Sequence, residues 1–282
     1  MGEDRRAPLT VSGLVSDAMA SVGTRGATVV GLTFGLLMVP AVFDVGLRMW
    51  APSGLTWREF VRMRTTLYLA FLFLALGGAA AVLGTVSASG PEATRSSALH
   101  RLLRRSLPMI VLGALVVFIC FVASLIGLGM LMGFQEMGAP LAAKVVVGVL
   151  LVGGPVLWVL ASVGVAAPMV MLEARGPIAS FYAAMELTRG HRVRIAAALL
   201  AVQLLVGLAL GAQALFYQLV GIEVAGGGSV TGWSLAVVLT LGETLLRTVW
   251  VVVTAALLTA AHGRLTPRSV EADPAALADV FA

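Results

Sequence analysis

Six stretches of this chain are apolar for long enough to cross a lipid bilayer: 27–47, 66–86, 107–132, 142–172, 195–220 and 235–261. A hydrocarbon layer about 30 Å thick takes about 20 residues of helix to cross. No water inside that layer pairs with backbone N–H and C=O groups, so each stretch must satisfy them within itself, as a helix does. The chain is therefore read as all-α: one integral membrane domain over residues 1–282 with six transmembrane helices and a short tail at 263–282. The composition agrees, with 59% hydrophobic residues, 12% charged residues and a mean hydropathy of +1.00. Soluble domains carry about 25% charged residues, and a soluble core of this length could not hide the apolar excess. The first stretch is too long for a signal peptide, and no small-residue cleavage site follows it, so it is expected to remain as a span. The fourth stretch is the longest and is expected to tilt, or to bend at Pro155 or Pro168.

Basic residues alternate in density between the connections. Thirteen lie before span 1, between spans 2 and 3, between spans 4 and 5, and in the tail, whereas Arg48, Arg58, Arg62, Arg64 and Lys144 lie on the other side. The excess marks the cytoplasmic side, so both termini are expected to be cytoplasmic. The outer connection between spans 5 and 6, with glycines at 226–228, has no basic residue. This clustering accounts for the net charge of +5 without nucleic acid, which is not an expected partner. Trp50, Trp57 and Trp233 stand at outer span ends, as interfacial anchors do.

The three cytoplasmic lead-ins share a plan. Residues 12–29, shifted by 164, fall on 176–193, with Ser16 on Ser180, Ala20 on Ala184, Thr24-Arg25-Gly26 on Thr188-Arg189-Gly190 and Val29 on Val193. A shift of 80 puts Ser96 on Ser16 and Arg105 on Arg25, a weaker match. Each lead-in reads as a short amphipathic helix. In the third, Ile178, Phe181, Tyr182 and Met185 share one face. Gly176-Pro177 opens it, with Pro preset for a helix start, and Gly190 suits a left-handed C-cap. In the first, the stripe is Leu14, Val15, Ala18, Met19 and Val22; in the second, Leu99, Leu102 and Leu103. Such Arg-edged helices either lie among anionic headgroups or cap the mouth of the bundle. The expected architecture is three repeats, each a cytoplasmic interfacial helix followed by two spans.

The stretch PMVMLEARGPIASFYAAMELTRGHRVRI, residues 168–195, carries a resemblance. It is similar to the signature of the glycerophosphoryl diester phosphodiesterase membrane domain family. There a Pro-containing span ends in an acidic residue; a Gly-Pro-led helix, a Leu-Thr-Arg-Gly turn, a basic residue and the next span follow. Pro168, Glu173, Gly176, Pro177, Leu187, Thr188, Arg189, Gly190 and Arg192 occupy those places. The resemblance implies a six-span module of a bacterial cytoplasmic (inner) membrane. In the founding members a separate soluble barrel carries the phosphodiesterase chemistry. Here the spans use up the chain, so the likeness implies the membrane module alone.

The residues name no catalytic centre and no cofactor. His100, His191 and His262 sit at loops or span ends, and none has a carboxylate at metal-ligand spacing. The one cysteine, Cys120, lies in an apolar run and excludes an internal disulfide; it is read as a small core hydrophobe. No enzyme is expected.

The polar residues inside the spans hold more information. Glu243 and Arg247 stand near the centre of span 6, where a charge costs roughly 2.5–3.5 kcal/mol on insertion scales. At i, i+4 they share a face and can pair, with Gln203 and Gln213 of span 5 as candidate partners. They are either a structural clamp or a polar site with Arg247 as the partner of an anionic headgroup or substrate. Asp44 and Arg48 form a second such pair near the outer end of span 1. Glu173 is expected to join Arg189 or Arg192 in a cytoplasmic charge network. Gly31 with Gly35, and Gly129 with Gly133, have GxxxG spacing for close helix packing, and a homo-oligomer through them stays open.

These readings lead to a non-enzymatic multi-pass protein that works with membrane lipids or envelope components, as a scaffold or modulator, with anionic headgroups at its cytoplasmic face. The alternative is a transporter of a lipid or a small anionic metabolite through a polar site around Glu243 and Arg247.

Overall fold

The structure, a computed structural model, describes residues 9–50, 57–84, 91–136, 138, 140, 143, 146–219 and 230–266. Among these it is all-helical, and six helical segments are long and apolar enough to cross a membrane. The helices are α1 (Val11–Trp50), α2 (Trp57–Gly84), α3 (Pro91–Glu136), a π-helical turn (Gly148–Gly153), α4 (Gly154–Val163), α5 (Ala166–Leu172), α6 (Pro177–Leu187), α7 (Arg192–Leu219) and α8 (Val230–Leu265). α1 packs along α2 and α8, α2 also lies against α3, α5 and α8, and α4 joins α3 to α7. The chain thus has the make-up of a multi-pass membrane protein.

Two of the three lead-ins are not separate helices. Residues 11–50 form one helix through Thr24-Arg25-Gly26, and α3 runs unbroken from Pro91 through Arg105 into its span. A stop at Gly26 would need a left-handed residue, and the glycines with positive φ among the described residues are Gly138 and Gly190 alone. Thr24 instead gives its hydroxyl to the carbonyls of Ala20 and Ser21, a bond that fits a continuing helix. Only the third lead-in, α6, is separate. Pro177 opens it, and Gly190 takes a φ of +87° just beyond its end. Positions matched by the shift of 164 also differ in surroundings: Ser180 and Ala184 are buried, whereas Ser16 and Ala20 are exposed.

Span 4 is broken twice, each time one helical turn before a proline. A proline inside a helix lacks the N–H that would reach the carbonyl four residues back, and its ring crowds that carbonyl. For Pro168 that residue is Gly164, where α4 gives way to α5. For Pro155 it is Leu151, inside the π turn. The Leu151 carbonyl lies so close to α3 that a Cβ on Gly127 would clash with its oxygen. Pro40 and Pro108 lie inside α1 and α3 without ending them.

The close-packing glycines are not the ones with GxxxG spacing. Gly31, Gly35, Gly129 and Gly133 face open space, whereas Gly113 meets Phe73, Gly84 meets Leu172 and Gly127 meets Leu151. The core is built at one end of the bundle. Every residue from Val165 to Met171 is buried, as are Ala79–Leu83, Ala198, Leu199 and Ala255–Leu258. Alanines there let helices approach closely. At the other end, Phe43, Phe118, Phe121, Ile126, Leu205, Leu208 and Val238 are exposed. Asp44, Arg48, Trp50, Trp57, Trp233, Gln213, Lys144, the glycines at 226–228 and the tail beyond Thr266 lie outside the described residues or side chains.

Gly127→Ala should lower thermal stability in detergent by roughly 1–3 kcal/mol, the usual cost of overpacking, because the obstacle is backbone. Gly129→Ala and Gly133→Ala should leave it unchanged in the same melting assay.

Candidate functional site

The closely packed end carries a belt of arginines. The last four carbonyls of a helix have no partner within it, and in a membrane each needs one. Arg25 donates from Nη1 to the carbonyls of Val82 and Leu83, at 3.0 and 2.6 Å, and so closes the end of α2. Arg105 donates to the carbonyl of Ala174 at 2.9 Å, just past α5, where Ala174 holds a φ of +58°. Arg192 donates to the Met185 carbonyl in the last turn of α6, at 2.9 Å. Thr188 is buried and gives its hydroxyl to Ser162 of α4 at 2.9 Å, which ties α6 back onto span 4. Arg264 pairs with Asp17 at 2.6 Å and clamps the end of α8 to the start of α1.

Glu173 belongs to this belt, with partners other than Arg189 and Arg192. Its carboxylate meets Arg175 Nε and His262 Nε2, each at 2.6 Å. Position explains the difference. Glu173 ends α5 beside the last turn of α8, where His262 is buried, whereas Arg192 is turned to the α6 carbonyl and Arg189 is exposed. Gly176 precedes Pro177 in an extended conformation, with φ −65° and ψ 157°. Arg101, Arg104, Arg189 and Arg194 are exposed, so the arginines of this end divide into structural caps and an open rim.

The second constellation is on α8. Glu243 accepts a hydrogen bond from Arg247 Nη2, and the Arg247 guanidinium lies 4.6 Å from the ring centroid of Tyr68 on α2. The cation and the ring face attract each other. Neither charged side chain is sealed in: 33% of Glu243 and 29% of Arg247 remains exposed. Gln203 is not bonded to the pair and instead lines a cavity below it. Arg247 precedes His262 by fifteen residues, and Tyr68 precedes Leu83 by fifteen, in each case about 22 Å at the helical rise. Along both walls the pair therefore stands well away from the arginine belt. α8 extends five residues before the apolar stretch and four beyond it, so the pair also stands at the middle of the helix.

One turn below the pair, toward the belt, lies a partly open cavity of about 100 Å³. Leu72 and Leu76 of α2, Ala167 of α5, Gln203 of α7, and Val251 and Thr254 of α8 are among the residues lining it. Its walls are almost wholly apolar. Trp250 Nε1 and the Thr254 hydroxyl are enclosed with no partner among the described residues. Nearby Thr244 and Thr248 each bond the carbonyl four residues back. Tyr68 and Arg247 are the next turn of the same two walls, so together they roof the cavity. Sequence reasoning missed this space, because it is enclosed by six helices, α2, α3, α4, α5, α7 and α8, that no local pattern brings together.

Among the described residues no cluster of three or more His, Cys, Asp or Glu could hold a metal. No protein-family model, no curated protein and no solved structure matches the chain.

Two outcomes are expected from substitution. Arg25→Gln should cost roughly 1.5–3 kcal/mol in detergent melts, the usual contribution of hydrogen bonds from a charged group, while Arg101→Gln on the open rim should cost nothing. In a double-mutant cycle of Glu243→Gln and Arg247→Gln, either single change should destabilise more than both together, with a coupling of roughly 0.5–3 kcal/mol. Additive losses would show that the two are not a coupled pair.

Proposed function

We propose that this is a non-enzymatic lipid-associating protein of a bacterial cytoplasmic membrane, with both termini cytoplasmic. It serves as a scaffold or modulator for lipids or envelope components. The observation that carries this reading is the open rim at the closely packed end. Leu103 and Leu107 are 68% and 70% exposed beside the outward Arg101 and Arg104; Ile178 and Tyr182 are 63% and 67% exposed on α6, which Arg189 and Arg194 follow. Large apolar side chains that point outward next to unburied arginines suit the boundary between acyl chains and anionic headgroups. α6 is the one lead-in that forms an interfacial helix of its own, with Ser180 and Ala184 packed inward. The first two lead-ins serve as extensions of spans, with Arg25 and Arg105 as caps.

The resemblance of residues 168–195 to the glycerophosphoryl diester phosphodiesterase membrane domain family supports the same reading, since what it implies for this stretch is a membrane module. A transport path for a small anionic metabolite would call for polar walls, and those of the cavity below Glu243 and Arg247 are apolar. That favours a lipid over a soluble anion as the molecule served.

The test is lipid retention on purification from membranes that contain phosphatidylglycerol. Replacement of Arg101, Arg104, Arg189 and Arg194 together by Gln should lower retained anionic lipid severalfold, with the melting temperature unchanged. Equal retention would remove the rim from the account.

A further inference from the structure

We propose that the cavity beneath Glu243 and Arg247 is the acyl-chain part of a binding site for one ethanolamine phospholipid of the outer leaflet. Its phosphate would lie at Arg247 and its ammonium at Glu243. The inference rests on the membrane orientation given above and adds a site separate from the cytoplasmic rim.

Three observations lead to it. First, the depth is right for a headgroup. The pair stands about 22–28 Å along α8 from the Glu173–His262 contact at the rise of an α-helix, so with the arginine belt at one boundary it reaches the other. A lipid whose headgroup lies there points its chains back toward the bilayer centre. That direction leads from Arg247 past Trp250 and Val251 to Thr254 and Leu258, the α8 wall of the cavity.

Second, the cavity suits hydrocarbon and not water. Its walls are almost wholly apolar and its volume is about 100 Å³. Apolar cavities of about 150 Å³ stay dry and take up a small hydrocarbon, so this one would hold a few methylene groups of a chain whose remainder lies in the bilayer. The buried core thins in the same half of the bundle, where Leu204, Leu205 and Leu208 of α7 are exposed. That gives a lipid a sideways approach.

Third, the charges select the headgroup. Arg247 uses Nη2 on Glu243 and sets its guanidinium over the Tyr68 ring, and a guanidinium has five N–H donors. The remaining donors can take a phosphate in the bidentate manner that arginine favours. A purely anionic headgroup would bring its charge against the Glu243 carboxylate. A zwitterionic one offers that carboxylate an ammonium, so the pair attracts both ends of an ethanolamine headgroup and repels the uncompensated anion. This is discrimination by an unfavourable contact as well as a favourable one.

The experiment is native mass spectrometry of the full chain, released from detergent after equilibration with equal amounts of dioleoyl phosphatidylethanolamine and dioleoyl phosphatidylglycerol. The wild-type protein should retain one ethanolamine lipid that resists activation. Arg247→Gln, and Ala167→Leu as a cavity filler, should each weaken that adduct at least tenfold. Glu243→Gln should reverse the preference at this site toward phosphatidylglycerol, which a merely structural salt bridge would not produce. The fourfold rim variant should lose phosphatidylglycerol and keep the ethanolamine adduct, so the two sites report separately. Absence of a wild-type ethanolamine adduct, its survival in both Arg247→Gln and Ala167→Leu, or an unchanged preference in Glu243→Gln would overturn the proposal.

Discussion

A helix that ends within or at the edge of a bilayer leaves carbonyls without partners, and the closely packed end of this bundle is organised around supplying them. Arg25, Arg105 and Arg192 each reach from one helix to the carbonyls at or just past the end of another: α1 to α2, α3 to the residue past α5, and the start of α7 back to α6. Each bond therefore satisfies a backbone group and fixes the relative position of two elements at once. Arginine suits this role because its guanidinium stays charged and presents several donors in a rigid plane, while its aliphatic stem lies along apolar surface. The basic excess at this end is thus partly architecture and only partly an open surface.

The belt depends on what it encloses. α5 is short, yet every residue from Val165 to Met171 is buried. Two prolines make that placement possible. A straight span 4 would keep one face toward lipid; the breaks at the π turn and at Gly164 let the final turns enter the centre of the bundle. There α5 meets α2, where Gly84 admits Leu172, and α8, where His262 meets Glu173. Alanines at Ala79, Ala166, Ala255 and Ala256 keep those approaches close. Packing of this kind supplies the attraction between membrane helices, since lipid offers no hydrophobic force to join them.

The spans were legible because burial in lipid demands long apolar runs, and nothing else in the chain resembles them. The ends of the spans were not, because continuation or arrest turns on backbone choices with weak sequence signals. Thr-Arg-Gly occurs at both 24–26 and 188–190, and only the second glycine takes positive φ. What decides is tertiary: Thr188 has the Ser162 carbonyl to bind, whereas Thr24 bonds only within its own helix. Departures from α-helix near Pro155 and Pro168 were readable, though each falls about four residues earlier, at the π turn and at Gly164. Glu173 was recognised as networked, but His262, eighty-nine residues away in the chain, was visible as a partner only in three dimensions. The Glu243–Arg247 pair follows from i, i+4 spacing alone; Tyr68 and the cavity do not. GxxxG spacing misled, because the glycines that admit a neighbour are chosen by where helices cross.

Arg247 stands apart from the other interior arginines for a reason that bears on what the far half of the bundle does. Arg25, Arg105 and Arg192 end on carbonyls at or just past helix ends. Arg247 lies in the middle of α8, where each carbonyl is already bonded four residues on, so no orphan backbone group calls for it. Its contacts are Glu243, a charge with the same burial problem, and the face of Tyr68. Two apolar residues at 243 and 247 would satisfy the helix, the packing and the membrane without either desolvation cost, as replacement of buried ion pairs by hydrophobes often shows. The pair also sits where the core is thin and a cavity opens beneath it, which is the part of the bundle that contributes least to holding the fold together. On the reading proposed above, a charged pair at the mouth of an apolar space suits a molecule with a charged end and an apolar end.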